Sequence, residues 1–533
     1  MRSGVRLSLI LLLLLARAAV AAPKLVVVIV VDQLRYDYLT RFRSEYTGGL
    51  DQLLRRGAVF TNAHFEHFPT VTAVGHATIL SGAPPSLSGI VANEWYDRES
   101  GKRVTSVADP QEKLVGTAVG AGASPRRLLV STVADELKMA HPGKPRAIGI
   151  SLKDRGAILT VGRMADAAYW FDDQSGAFVS STYYFSDLPG WVKDFNASGI
   201  VRRYAGAEWR ALANGNLLLK LPDAPGVPLY RAMESSPFGN ELLLEFAQRA
   251  VEAEQLGSRD ATDVLSVSFS SNDYVGHQSG PDSPEVRDIT VRTDRILDRF
   301  LRFLDQRVGL ANALVVLTSD HGVAPLPETQ AARKMPGGRL AEKTLRSAAE
   351  QALASRYGAG NWVLDFLNGS VYLNTELLRE KGLNPAEVQE AAAKALARVP
   401  QVARVYTRAQ LETGRLVMDQ VDRRVANGFH RRRSGDVIVV LEPYWIPSAR
   451  GTTHGSPYSY DSHVPVVFMG PGVRPGYYHR PAAVNDIAPT LATLLEVETP
   501  SGSVGRVLEE MLAPVAGPRP AVRPRAAAPP TNR

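Results

Sequence analysis

The chain has 533 residues, 45% hydrophobic and 22% charged, proportions of a soluble globular protein that exclude disorder as the main state and exclude a coiled coil. The formal charge is +7, but three arginines lie in residues 1–21 and four in residues 518–533, with no acid in either stretch; the body between is neutral and carries no signature of a nucleic-acid-binding surface. There is no cysteine, which removes disulfides, thiolate metal sites and cysteine nucleophiles and leaves His and carboxylate as metal ligands.

Residues 1–21 read as a secretory signal peptide. Arg2 and Arg6 precede the apolar run Leu7–Ala16, which is too short to span a bilayer. Ala19-Val20-Ala21 supplies the small residues for cleavage after Ala21. Arg17 interrupts the run and argues against an uncleaved anchor. No later segment is long and apolar enough to span, so the mature protein is expected in the periplasm or outside the cell, with no stable membrane insertion.

Leu25–Val31 is a continuous β-branched run, the pattern of a buried parallel strand, and it ends in Asp32. The stretch from Thr70 to Ala77 follows a proline and reads as a helix start, where a Thr72 hydroxyl would feel the helix dipole; the plainer reading is that Thr70 or Thr72 is an N-cap. Gly116, Gly120 and Gly122 lack the spacing of a dinucleotide loop and read as an ordinary loop. Ala147–Ile150 is a second strand. After it come Lys153 and Arg155, two apart and on one side of an extended segment. Alone they read as a solvated charged loop; together they offer a point charge and a fork for phosphate oxygens. The strand Val264–Phe269 leads to Asp273 and His277, one helical turn apart, and Val286–Leu304 has a helical pattern. The strand Leu314–Leu317 leads to Asp320, His321 and Gly322. Adjacent strand residues face opposite ways, so Asp320 and His321 can share an ion only past the strand end, where Gly322 permits a turn.

Residues from about 328 to 430 read as an insertion. Within it, Ser370–Leu373, Pro385–Arg398 and Val402–Tyr406 form a β-α-β unit. Val437–Leu441 and Val464–Met469 read as further parallel strands, with His454 in a loop between them. The tail, residues 518–533, is Pro, Ala and Arg with little to bury, and is expected to be disordered. The alternation of strands and helices predicts an α/β fold: a doubly wound, mostly parallel sheet over residues 22–517, with an inserted smaller α+β subdomain.

Ligands of such sheets collect at the carboxyl ends of the strands. Asp32, Asp273, Asp320, His277, His321 and His454 all follow strands or lie in a nearby loop. Singly, such an Asp is usually a cap or turn residue and such a His structural. As a set they suit two divalent ions such as zinc, and a two-metal clamp serves in-line phosphoryl displacement. His76, four residues after Thr72, reads as structural, because a metal-activated hydroxyl needs no base. His463 begins a strand and reads as no more than a support.

These residues resemble a family. The run from Thr72 to Asn93, TAVGHATILSGAPPSLSGIVAN, is similar to the nucleophile segment of the alkaline phosphatase superfamily, in its nucleotide pyrophosphatase/phosphodiesterase-like branch, where an Asn follows the Thr by 21 residues as here. Asp32, Asp273-x-x-x-His277, Asp320-His321-Gly322 and Thr453-His454-Gly455 occur in the family's order, and Asn485–Thr490 resembles its closing helix. The Lys153-x-Arg155 pair resembles the phosphate clamp of the PafA-type alkaline phosphatases. The resemblance implies two Zn²⁺ per chain, one on Asp273, His277 and His454 and one on Asp32, Asp320, His321 and the Thr72 oxygen. It implies Thr72 as nucleophile and metal ligand, a phosphothreonine intermediate, and Asn93, Lys153 and Arg155 as substrate-binding residues. The expected activity is hydrolysis of small-molecule phosphate monoesters; the alternative is a phosphodiesterase or nucleotide pyrophosphatase on the same scaffold. A sulfatase is disfavoured, with no Cys in the chain and no Ser at position 72, and the complete ligand set argues against a non-catalytic binding protein.

Overall fold

Alternate residues of the strand Leu25–Val31 face different cores. Leu25, Val27, Ile29 and Val31 pack in one cluster, and Val26, Val28 and Val30 pack in another on the opposite face. All seven are buried, at roughly 1.5–3 kcal/mol per fully buried aliphatic side chain. This is why the run is continuously apolar: layers of helix cover the sheet on both sides. The computed structural model describes residues 22–117, 120–414 and 419–513. The signal peptide and the C-terminal tail read from the sequence lie outside the described residues.

The main sheet has eleven strands. Its centre is parallel, in the order Ala313–Thr318, Leu25–Val31, Asp263–Phe269, Ala147–Ser151 and Ala167–Asp172. The flanks are largely antiparallel, so the sheet is mixed. Val464–Met469, expected to be a parallel strand, is a strand over Val466–Met469 and runs antiparallel to Ala313–Thr318. A strand buried on both faces is a bare apolar run in either direction, so the pattern carried no polarity. Ala121–Ala123, in the Gly-rich stretch expected to be a plain loop, is a short strand paired with Ala108–Val115.

A second sheet of four antiparallel strands, in the order Val363–Leu367, Ser370–Leu373, Val437–Leu441 and Val402–Thr407, has its own core beneath the helices Glu342–Tyr357 and Pro385–Leu396. The strand Val437–Leu441 therefore belongs here and not to the main sheet, and the smaller unit runs past residue 430. It was misplaced for a physical reason. Val437 and Val439 face the helices while Ile438 and Val440 pack on Phe68, Tyr406 and Val425, so this strand too is covered on both sides.

The register brings the chemistry to one edge. Thr318 pairs with Val30, and Val31 with Phe269. Asp320 and Asp32 each come two residues after a member of the first pair. Ser151 pairs with Ser268, and Lys153 follows Ser151 by two. The helix Ser271–Ser279 starts just past Phe269 and carries Asp273 and His277.

Candidate active site

Thr72 is the first residue of a fully buried ten-residue helix, Thr72–Ser81. The helix presses its Gly75 against the strand end, where a Cβ would meet the Asp320 carbonyl oxygen at 2.0 Å. Only glycine permits that approach, and it holds Thr72 beside Asp320 and His321. The Thr72 Oγ1 lies 3.2 Å from His321 Nε2 at the helix N-terminus, where the dipole favours a developing oxyanion. Asn93 Oδ1 accepts the Ala73 N–H at 2.8 Å, which leaves the Asn93 NH₂ as its donor end.

Three imidazoles are oriented in the same way. His277 Nδ1 bonds the Thr452 carbonyl at 2.8 Å, His454 Nδ1 the Thr70 carbonyl at 2.8 Å, and His321 Nδ1 the Gly322 carbonyl at 2.9 Å. A carbonyl can only accept, so each Nδ1 carries a proton and each Nε2 is the nitrogen turned to the site, the orientation of a metal-binding histidine. His277 Nε2 lies 3.1 Å and His454 Nε2 3.7 Å from Asp273 Oδ1. His321 Nε2 lies 3.4 Å from Asp32 Oδ1 and 3.3 Å from Asp320 Oδ2. Burial, then the neighbouring imidazoles of His321 and His277, hold the His454 pKa well below its ordinary value, so this ring stays neutral.

The donor set fits two cations. Asp273, His277 and His454 form one group with atoms within 4.8 Å of each other, and Asp32, Asp273 and His321 form a second; Asp273 stands between the two. Asp32 Oδ1 and Asp320 Oδ2 are buried with no hydrogen-bond partner. Burial and then the Asp273 and Asp320 charges push the Asp32 carboxyl well above its usual range. Three buried carboxylates this close outnumber the one ammonium among them, that of Lys153, and divalent ions would supply the remaining positive charge.

The structure corrects the reading of the Lys153 segment. The chain is extended only as far as Lys153; Arg155 lies in the first turn of the helix Asp154–Val161. The buried Lys153 Nζ sits between two site carboxylates, 2.5 Å from Asp32 Oδ2 and 2.6 Å from Asp273 Oδ2. Burial opposes its charge, but the two carboxylates outweigh burial and raise its pKa. Gly322 is also needed for a reason other than the one its turn suggested. A Cβ there would meet the Tyr460 carbonyl oxygen at 2.2 Å, and its φ lies outside the left-handed region.

His76 bonds the Thr72 carbonyl and Ser268 Oγ, both at 2.8 Å, and its Nδ1 is 3.3 Å from Asp320 Oδ2; it braces the helix Thr72–Ser81 against the strand end. His463 bonds the Thr61 carbonyl at 3.0 Å, and its ring stacks on Tyr36 and His64. Sequence reasoning missed Gln33. It holds a left-handed φ of 64°, gives its Nε2 to Asp273 Oδ1 at 2.6 Å and its N–H to Asp320 Oδ1 at 3.2 Å. Its only signal was its place next to Asp32. Glu234 was missed as well. It lines a pocket beside Lys153, Arg155 and Tyr274, and burial, then Asp173, pushes its carboxyl up to about 8. A pKa raised on folding means stability is fully present below the unfolded value near 4.5 and is lost as pH rises through about 8. Glu234→Gln is therefore expected to leave the thermal midpoint unchanged near pH 4 and to raise it at about pH 9. An equal shift at both pH values would show that no buried charge is involved.

Residues 26–463 match the family described as type I phosphodiesterase / nucleotide pyrophosphatase. A Myroides odoratus protein named calcium-transporting ATPase is 39% identical over 91% of this chain and 93% of its own length. The alkaline phosphatase PafA of Elizabethkingia meningoseptica is 37% identical over 91% of this chain and 93% of its own. The crystal structure of wild-type PafA aligns with a TM-score of 0.86 at 36% identity, over 93% of this chain and 100% of that chain. Another PafA structure carries substitutions at a threonine, an asparagine 21 residues later, a lysine and an arginine two further on, the separations of Thr72 from Asn93 and of Lys153 from Arg155. With the same fold and a match that spans most of its length, the chain belongs to the type I phosphodiesterase/nucleotide pyrophosphatase family.

Proposed function

We propose that this protein is an exported alkaline phosphatase that hydrolyses small-molecule phosphate monoesters through a phosphothreonine at Thr72. The observation that carries the reading is the buried Thr72 hydroxyl at a helix start, 3.2 Å from His321 Nε2, within a cluster of acids and imidazoles. Asp273, His277 and His454 would hold one divalent ion; Asp32, Asp320, His321 and Thr72 Oγ1 would hold the other, with zinc the ion suited to this donor set. Bound there, two such ions lower the pKa of an oxygen ligand and offset phosphate charge. The Thr72 oxygen attacks phosphorus, the bond from phosphorus to the ester oxygen breaks, and the alcohol leaves with a proton. Water then cleaves the phosphothreonine to restore Thr72 and release phosphate. The Asn93 amide and the Arg155 guanidinium hold non-bridging oxygens. With Asp32 and Asp273 committed to cations, the Lys153 ammonium is free to join them.

Export rests on the N-terminal sequence; among the described residues, no helix is long and apolar enough to cross a membrane. The PafA relative is named for phosphatase activity, and hydrolysis at phosphorus is common to that name and to the ATPase name of the Myroides protein. A phosphodiesterase is the second reading, favoured by the family's description. Lys153 and Arg155 favour the first, because two cations reward a dianionic monoester more than a monoanionic diester.

The test uses enzyme stripped with chelator and reloaded with Zn²⁺. Stripped enzyme is expected to be inactive and reloaded enzyme to prefer an aryl monoester over an aryl diester. Lys153→Ala/Arg155→Ala is expected to lower monoester kcat/KM about a hundred-fold more than diester kcat/KM. Equal losses on both would remove the clamp assignment, and a wild-type preference for the diester would decide for the second reading.

A further inference from the structure

Between the main sheet and the smaller unit lies a cavity of about 570 Å³ that reaches the site at His454. Phe68 and Val71, on the segment leading into Thr72, form one wall, and Phe366, Trp445, Pro447 and Tyr460 face them. Phe68, Val71, Phe366 and Tyr460 are buried, so the walls are set by the packing of both units. The volume falls within the range of organic ligand sites, and an apolar lining with a few polar groups is their usual character. A second pocket, of about 510 Å³, opens beside Lys153 and Arg155 and has the opposite character: Asp172, Asp173, Arg231 and Glu234 line it. Glu342, Lys343 and Asp461 also line the first cavity, so the site is flanked by one cavity that is mostly apolar and one that is mostly charged.

Charge decides which part of a substrate meets which side. His454, at the edge of the cavity, stacks on His321, which Thr72 touches, so the cavity opens within reach of a phosphorus held at Thr72. The non-bridging oxygens are drawn to the cations at Lys153 and Arg155, which leaves the ester's alcohol for the apolar side. We propose that this cavity binds the alcohol portion of the substrate, and that the substrate class is a phosphate monoester whose alcohol is aromatic or otherwise largely apolar. This rests on the monoesterase reading above.

Ethyl phosphate and 2-phenylethyl phosphate test it, because their leaving alcohols differ little in acidity and differ by one ring. Wild-type enzyme is expected to favour 2-phenylethyl phosphate by about ten-fold or more in kcat/KM, the scale of apolar pocket discrimination. Trp445→Ala removes a wall. Ala341→Trp fills the cavity from an exposed lining position and guards against a folding defect in the first variant. Both should bring the ratio toward one while inhibition by inorganic phosphate and metal content stay at wild-type values. A wild-type ratio near one, or a ratio that neither variant moves while phosphate still inhibits, overturns the proposal. Loss of all monoester turnover and of phosphate inhibition in the wild type would instead remove the monoesterase reading, and this inference with it.

Discussion

Thr72→Ala is expected to lower monoester turnover by on the order of 10⁴-fold or more, as loss of a covalent nucleophile does, with metal content close to wild type. The two effects separate because Thr72 supplies one oxygen among several ligands, while Asp32, Asp320 and His321 keep their places around it. The helix itself should survive. Its Thr72 hydroxyl caps no backbone N–H, its fixing contacts are those of Gly75 and His76, and Asn93 still accepts the Ala73 N–H. Thr72→Ser keeps a hydroxyl and should recover part of the rate. Rapid quench with a labelled monoester adds a direct readout: phosphate should appear covalently on the wild-type chain and be absent from the Ala variant. An Ala variant of near wild-type rate would exclude Thr72 as the nucleophile.

The second large effect concerns stability. Lys153 is the cation between Asp32 and Asp273, in a place shielded from water. Lys153→Ala leaves Asp32 buried with no cation beside it, and Asp273 with only His277 and Gln33. Breaking such a buried pair by removing one partner costs about 3–5 kcal/mol. The cost is expected to shrink at acid pH, since protonation relieves a buried carboxylate that lacks a counter-charge. It is also expected to shrink when Zn²⁺ is restored, because divalent charge replaces the lost ammonium. Thermal unfolding of both proteins with chelator and with Zn²⁺ checks this. The midpoint difference should be several degrees in chelator and small in Zn²⁺; equal differences would mean that Lys153 is not the counter-ion of the empty site.

The same residue shows the limits of reading a sequence. Its cationic character and its place after a strand were legible, and so was its spacing from Arg155. Its partnership with Asp32 and Asp273 was not, because those residues lie more than a hundred positions away in the chain. Gln33 was invisible for a different reason. A non-glycine residue in the left-handed region of backbone space has no composition mark, and the tertiary contacts to Asp273 and Asp320 hold it there. The cavity beside His454 was likewise hidden, since it forms only where two units with separate cores meet.

What the sequence determined by itself was five strands of the main sheet, Leu25–Val31 among them, and the residues that follow them. A strand covered on both faces must be apolar throughout, and an abrupt Asp or His after such a run marks the edge where polar groups meet solvent or ligand. Asp32, Asp320 and His321 stand out in that way, and with Asp273 and the other two histidines they gain meaning as a set. What only the tertiary structure decided was strand direction, the sheet to which Val437–Leu441 belongs, and which charges neutralise one another. Burial sets the pattern of a strand whichever way it runs and whichever sheet it joins, so the apolar run carries no record of its neighbours; those are chosen by packing between segments far apart in the chain.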